Sequence, residues 1–224
     1  VAGSVLVTGG AGALGGAVVG RLLADGWRVV VPVEGEPAHL NPAAIGVQAD
    51  LTDEAAVAAA VQVAAADPAA PLTAVVNLVG GFAQGGRVHE TPIADFEAQF
   101  RVNLRPAYLV TAAALPHLIA NGGGSVVCVS SRSALKPFPG AAGYISSKLA
   151  LLGLVDALAV EYRDDLVRVN AVLPSVIATP ATATGTPSDE KRVPPAQIAE
   201  LIAYLCSDAS AATSGAHIPV YGRA

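Results

Sequence analysis

Methionine is absent from all 224 residues of this chain, aromatic residues make up 4% of it and charged residues 14%. The missing methionine means that the starting residue has been removed or lies outside this numbering. No basic segment precedes an apolar run at the N-terminus, so no signal peptide is expected. Val5 to Val7 is too short for one and reads as a strand. Apolar residues reach 53%, enough for a large core, yet glycines and charges interrupt every run before the eighteen or so residues of a membrane span. A net charge of -5, with no basic block and few aromatics, argues against a nucleic-acid surface. Neither nucleic acid nor membrane is an expected partner. The two cysteines, Cys128 and Cys206, fall inside apolar patterns and read as buried thiols rather than a disulfide or a metal pair. That suits a reduced, cytoplasmic protein. His39, His89, His117 and His217 have no metal-ligand spacing and no Cys/His cluster exists for zinc, so no metal is expected.

What is present is alternation. Short β-rich runs at Ser4–Thr8, Arg28–Val33, Gly46–Ala49, Ala74–Val79, Ser125–Ser130, Val167–Leu173 and Ile218–Tyr221 are separated by Ala-rich helical stretches. Ala13 to Asp25 is one helix, closed by Gly26. Thr52-Asp53-Glu54 opens the next with a cap and acids in its first turn. Thr91-Pro92 opens another, with Pro at its first position. Later helices cover Arg105–Ala120, Gly143–Tyr162 and Pro195–Ser207. Fully apolar strands alternating with helices predict an α/β fold: a seven-stranded parallel sheet covered on both faces. No linker or repeat marks a second domain. Residues 176–194, rich in Thr, Pro and Gly, lack periodicity and read as a short lid.

The first strand runs into Thr8-Gly9-Gly10-Ala11-Gly12-Ala13-Leu14-Gly15 and then a helix. Dinucleotide binding needs that context, because glycines let the backbone approach a pyrophosphate and the helix N-terminus attracts its charge. Glu34, about twenty residues past the turn, is either the acid that binds ribose hydroxyls or a solvated loop acid. Asp50-Leu51 ends the third strand, where the carboxylate meets an adenine or caps the next helix. Asn77 ends the fourth strand and would tie neighbouring strands together. In Leu78-Val79-Gly80-Gly81 the glycines would let a ribose lie against the backbone. Asn103 reads as mid-helix, where a mediocre helix former suggests a kink or an internal hydrogen bond.

Tyr144-Ile145-Ser146-Ser147-Lys148 is the most informative stretch. A Tyr and a Lys four apart share a helix face. An ammonium beside a phenol favours the phenolate, which makes a proton donor and acceptor usable near neutral pH. Ser131, thirteen residues upstream at the end of the fifth strand, can hold a carbonyl oxygen. Each residue has an ordinary structural explanation alone; their joint spacing does not. Phe82, Arg132, Phe138 and Tyr221 are candidates for the rim of a substrate pocket.

Over nearly its whole length the chain resembles the short-chain dehydrogenase/reductase family. The glycine turn, Asp50, Asn77, Asn103, Ser131, Tyr144, Lys148, the Pro174 to Thr179-Pro180 segment and Ile218-Pro219-Val220-Tyr221-Gly222 occur in the family's order. The resemblance implies one Rossmann-type doubly wound domain over residues 1–224. It implies Tyr144 as acid/base, Lys148 lowering its pKa and holding the nicotinamide ribose, and Ser131 bonding the substrate oxygen. Asn103 would position a water that links Lys148 to solvent. The cofactor would lie against Thr8, Gly9, Gly12, Ala13, Leu14, Gly15, Glu34, Asp50, Leu51, Asn77, Val79, Gly80, Tyr144, Lys148 and Pro174, with Ile177 and Thr179 at the nicotinamide carboxamide.

Three departures stand out. The family's TGxxxGxG becomes Gly9, Ala13 and Gly15, while Gly12 gives the TGxxGxxG spacing of the extended branch of epimerases and dehydratases. That branch's extra substrate domain does not fit in 224 residues. Asn77-Leu78-Val79-Gly80 keeps the first and last members of Asn-Asn-Ala-Gly, and Pro174-Ser175 replaces Pro-Gly, which would stiffen the start of the lid. The expected function is an NAD(P)-dependent oxidoreductase interconverting a small-molecule carbonyl and its alcohol. The alternatives are an NAD-retaining epimerase or dehydratase, or a dinucleotide-binding redox sensor without turnover. The sensor has no need of a Ser, Tyr, Lys and Asn set. NAD(H) is expected over NADP(H), because Glu34 would repel the extra phosphate and no Arg or Lys occurs between Ala11 and Leu14 or between Val29 and Asn41. Val33 stands where NAD-preferring members usually place an Asp. A homo-oligomer, tetramer or dimer, is expected, since Leu149, Leu151, Leu152, Leu154 and Val155 make the helix over Gly143–Tyr162 more apolar than one buried face requires.

Overall fold

The computed structural model describes residues 3–36, 39–183 and 191–223. Seven strands, β1 (Ser4–Thr8), β2 (Arg28–Val33), β3 (Ile45–Gln48), β4 (Leu72–Asn77), β5 (Gly124–Val129), β6 (Val167–Pro174) and β7 (His217–Val220), form one sheet in the order β3-β2-β1-β4-β5-β6-β7. Every neighbouring pair is parallel. Six helices surround it: α1 (Ala13–Ala24), α2 (Glu54–Ala65), α3 (Ile93–Asn103), α4 (Arg105–Ala120), α5 (Ala142–Glu161) and α6 (Pro195–Cys206). The expected strands and helices are all found, with ends displaced by no more than two residues.

The two-residue period of the strands sorts the core. Val5, Val7, Val29, Val31, Val76 and Val127 turn to the face covered by α1 and α6. Leu6, Val30, Val75, Val126 and Val169 turn to the face covered by α2, α4 and α5. Both faces are dry, which explains why the strands read as unbroken apolar runs. The first crossover is closed by Gly26 at φ +82, where the Trp27 amide bonds back to the Leu22 carbonyl at 3.1 Å. Asp53 caps α2, its Oδ1 accepting from the Ala56 amide at 2.8 Å.

Two expectations are corrected. Pro92 is not the first residue of α3 but its N-cap, in extended conformation at φ -56 and ψ 142. Asn103 is not mid-helix: it is the last residue of α3. Pro106, just inside α4, has no N–H to give the Val102 carbonyl, so the helix cannot run on through this point.

Helix α5, at 20 residues, is long and apolar enough by length and composition to cross a membrane, which the reading of interrupted runs did not anticipate. Its Leu151, Leu152, Val155 and Leu158 are instead buried in the core beside the sheet. Strands β1 and β4 are neighbours, but the chain leaves them toward opposite faces. The crevice at their carboxyl ends is the switch point where doubly wound sheets bind ligands.

Candidate active site

The crevice is built from the ends of β1 and β4. Thr8 Oγ1 accepts from the amides of Leu78 at 3.0 Å and Val79 at 3.2 Å, which locks the two exits together. Gly9 turns the chain at φ +68, and its carbonyl accepts from the Gly12 amide at 3.0 Å. A Cβ on Gly15 would fall on the Gly9 carbonyl oxygen and 2.6 Å from Gly10 Cα, so only glycine lets α1 start this close to the turn. Gly12 caps α1 without a side chain, and Ala13, Leu14 and Gly15 form its first turn with no acid among them. Their amides have no partner within the helix and present positive charge to the crevice.

Beside this turn lies a cavity of about 500 Å³ bordered by Gly9, Gly12, Val33, Glu34, Leu51 and Val79. Asp50 belongs to the same wall. It does not cap α2; its Oδ1 accepts from the Thr52 amide at 2.8 Å and Thr52 Oγ1 at 2.7 Å. Those bonds hold its carboxyl below the ordinary range. Arg101, from α3, lines the opposite side, and its Nη1 stands 3.9 Å from Glu97 Oε2. The sequence reading missed it because it lies outside the two segments searched for basic residues. Arg21 and Arg28 are engaged elsewhere, with Glu200 and with the Val63 and Ala64 carbonyls respectively.

Asn77 closes β4 as expected. Its Nδ2 donates to Thr111 Oγ1 on α4 at 3.0 Å and lies 3.7 Å from Cys128 Sγ on β5. At Gly80 a Cβ would stand 2.7 Å from Asn103 Oδ1 and 2.9 Å from Lys148 Nζ, so the bare backbone is what lets both groups approach it this closely. The Asn103 amide clamps Gly81, accepting from its N–H at 3.0 Å and donating to its carbonyl at 3.0 Å. Its role as the end of α3 is thus to hold the loop after β4.

Ser131, Tyr144 and Lys148 are brought to the carboxyl end of β5. Ser130 Oγ donates to the Lys148 carbonyl at 2.8 Å and fixes α5 against the strand. Lys148 Nζ is buried and donates to the Val129 carbonyl at 3.0 Å. Burial brings its pKa down to about 8, with Cys128 acting the other way. Tyr144 is pushed above its ordinary value by burial, while the hydroxyls of Ser131 and then Ser133 pull it down. The expected lowering by Lys148 is therefore not what this geometry gives, because the ammonium is turned to Val129 and the two serines act on the phenol instead.

Ser133 was not singled out from sequence, although Ser-x-Ser at 131 and 133 was the available signal. Its hydroxyl donates to Ser131 Oγ at 2.8 Å and its amide to the same atom at 3.2 Å. Of the suggested rim residues, Phe82 stands edge-on to Tyr144 at 5.0 Å between ring centroids, and Phe138 is 6.3 Å from Phe82. Arg132 instead stacks over Tyr221 at 5.1 Å. A larger cavity of about 720 Å³ reaches Tyr144 between residues 83–93, α3 and residues 140–144, with Val88, Ile93 and Phe96 among its apolar walls.

On the far side of the crevice β6 ends at Pro174, and Ser175 is tied to β7 through the Val220 and Tyr221 carbonyls. Ile177 pairs with Val193, so the described ends of the segment expected as a lid are joined by backbone bonds. Thr179 caps a short 3-10 turn over Pro180–Thr182. Residues 184–190 of that segment lie outside the described residues.

The site as a whole fits a dinucleotide: a tight turn in which Gly10 and Gly15 have no room for a Cβ, a helix N-terminus clear of acids, and a cavity continuing to the end of β2. A model of the short chain dehydrogenase family matches residues 4–190. The chain is 32% identical to the 2-(R)-hydroxypropyl-CoM dehydrogenase of Xanthobacter autotrophicus, covering 97% of this chain and 96% of that protein. It is 33% identical to the 4-formylbenzenesulfonate dehydrogenase of Comamonas testosteroni, covering 97% and 95%. Among solved structures, the 3-ketoacyl-(acyl-carrier-protein) reductase of Brucella melitensis complexed with NADH superposes with a TM-score of 0.89 at 28% identity, over 99% of this chain and 98% of that one.

Proposed function

Because this chain belongs to the short-chain dehydrogenase/reductase family and is an NAD(P)-dependent oxidoreductase, we propose that Tyr144 is its acid/base in the interconversion of a small carbonyl compound and the matching alcohol. When bound, the nicotinamide nucleotide supplies or takes the hydride. Gly9, Gly12, Ala13, Leu14 and Gly15 would receive its pyrophosphate, and Glu34, Asp50, Leu51 and Val79 its adenosine half, while Thr8 is buried behind the turn and only fixes the two strand exits. Gly80, Lys148, Pro174, Ile177 and Thr179 would frame the nicotinamide half, while Asn77 is buried behind them, tied to α4 and β5. In reduction Ser131 donates to the substrate oxygen as charge develops on it, and the Tyr144 hydroxyl gives its proton to that oxygen. In oxidation the Tyr144 phenolate takes the alcohol proton back. Lys148 and Asn103 both stand against the bare Gly80 backbone, where the ribose would lie.

The observation that carries this reading is the convergence of Ser131, Ser133, Tyr144 and Lys148 at one strand end above the glycine cradle. Phe82 and Phe138 beside Tyr144 support a substrate with an apolar or flat body. Among the described residues lining the adenosine cavity, two carboxylates, Glu34 and Asp50, face one cation, Arg101. That balance favours NAD(H) over NADP(H). The chain forms one domain with residues 176–183 and 191–194 as the described ends of its lid, and its two free buried cysteines suit the reducing cytoplasm. A second copy of the chain covers the groove between α3, α4 and α5, where Tyr108 and Leu149 are exposed. The activity is tested by following the absorbance of NADH and NADPH against a panel of ring-bearing aldehydes and ketones. Consumption with at least one supports the reading, and tight nucleotide binding without turnover across a wide panel would revive the redox sensor.

A further inference from the structure

A serine hydroxyl has one hydrogen to give and two lone pairs to fill. At Ser131 both lone pairs are taken by the same neighbour, the Ser133 amide at 3.2 Å and the Ser133 hydroxyl at 2.8 Å. Ser133 is itself buried at 7% exposure, within the short 3-10 turn Arg132–Ala134 that Ser131 caps. The Ser131 hydrogen is therefore directed away from Ser133. Of the two serines, Ser131 has the larger influence on Tyr144, pulling its pKa down against burial.

We propose that Ser133 is a positioning residue that makes Ser131 a donor only, and thereby sets the direction of proton flow between substrate and Tyr144. This rests on the carbonyl–alcohol reading above. A substrate oxygen between Ser131 and Tyr144 can accept from Ser131 but cannot donate to it. In oxidation the alcohol proton then has one acceptor, the Tyr144 oxygen. The O–H bond breaks as the new Tyr144 O–H bond forms, the C–H electron pair leaves as hydride to the oxidised nicotinamide, and C=O forms. In reduction every step runs backwards, with the Ser131 bond in place on the carbonyl before charge develops there. Removing the Ser133 hydroxyl opens one lone pair on Ser131, and a bound alcohol can waste its proton on it.

The test uses Ser133→Ala and Ser133→Thr in the full-length enzyme with saturating nucleotide, in wild-type and Ser131→Ala backgrounds. Ser133→Ala should lower kcat about tenfold or more with KM little changed. It should also move the oxidation pH profile to higher pH, since a Ser131 hydrogen no longer held away from position 133 donates less to the phenolate. Ser133→Thr should restore both. In the Ser131→Ala background Ser133→Ala should add no further loss, because the two act as a unit. An unchanged kcat and profile in Ser133→Ala overturns the proposal, as does a full extra loss without Ser131, or Thr failing like Ala with the profile unmoved. A readout free of turnover is the tyrosinate absorbance titration, taken as the difference from a Tyr144→Phe background. Its midpoint should rise in Ser133→Ala, and a midpoint that stays put counts against the proposal. Should the wild type turn over no carbonyl or alcohol, that titration still decides on Ser133, while the functional reading falls by itself.

Discussion

Tyr144 holds its place through its ring as much as its hydroxyl, packed edge-on against Phe82. Tyr144→Phe therefore keeps the packing and removes only the proton donor. It should lower kcat by a factor of about 100 or more, in the range of general acid/base contributions, and leave the nucleotide Kd nearly unchanged by fluorescence titration. Near-normal kcat would end the assigned role. Lys148 gives a second test, in stability. Its pKa falls to about 8 from 10.5 on burial. Between those values the unfolded chain binds more protons than the folded one, so stability rises with pH there. Below about pH 8 the penalty for burying the ammonium is fully present. The denaturant midpoint of wild type relative to Lys148→Met should climb from pH 8 to pH 10.5, and a flat difference would contradict a buried ammonium. Tyr144 and Cys206 sit above their ordinary values and oppose this trend in both proteins, so they cancel in the comparison. Tyr144, Lys148 and Ser131 were legible as residues because four-residue spacing on a helix survives in one dimension. Ser133 and the clamp of Asn103 on Gly81 were not, since they depend on how a loop folds back, and the stop to α3 at Pro106 was present in the sequence but went unread.

At the scale of elements, each strand was legible because both sheet faces are buried and the apolar runs are continuous. Caps were legible where a side chain makes them, as with Asp53, and less so where backbone conformation does, as with Pro92. The joining of Ile177 to Val193 left no trace in periodicity, because it links the two ends of one loop. Cofactor choice belongs at this scale, since the adenosine cavity is assembled from the ends of β2 and β3 and a wall of α3. Glu34, exposed just past β2, and Arg101 of α3 line this cavity together. The ratio of kcat/KM for NADH to that for NADPH should exceed one in wild type. It should fall by about tenfold in Glu34→Arg, which replaces a like charge with an opposite one at the phosphate. A wild-type preference for NADPH, or a ratio that Glu34→Arg does not move, would mean that Arg101 decides instead.

For the whole molecule, the same helices that carry chemistry on one side leave apolar surface on the other. Tyr108 on α4 is 56% exposed and Leu149 on α5 is 50% exposed, beside a groove of about 370 Å³ floored by Leu104, Ala150 and Leu154. Isolated apolar side chains on a surface are ordinary, but a grooved cluster spanning three helices fits an interface. Light scattering at micromolar concentration should give a dimer or tetramer, and the Tyr108→Asp, Leu149→Asp double variant should shift it toward monomer. A monomeric wild type would remove the interface. Of the five α5 residues that suggested an interface from sequence, Leu151, Leu152 and Val155 are buried in the core, and only Leu149 and Leu154 remain toward this surface.

Helix α5 has a further consequence, in the order in which the chain is made. Its 20 residues contain three charges, Lys148, Asp156 and Glu161, and they leave the ribosome before β6 and β7, on which the completed sheet depends. During that interval a segment as apolar as a membrane span has only part of its docking surface. Nascent chains with such surface aggregate or are held by chaperones until their partners emerge. The yield of active enzyme should accordingly follow the pace of translation and the supply of chaperones, rather than the stability of the finished fold.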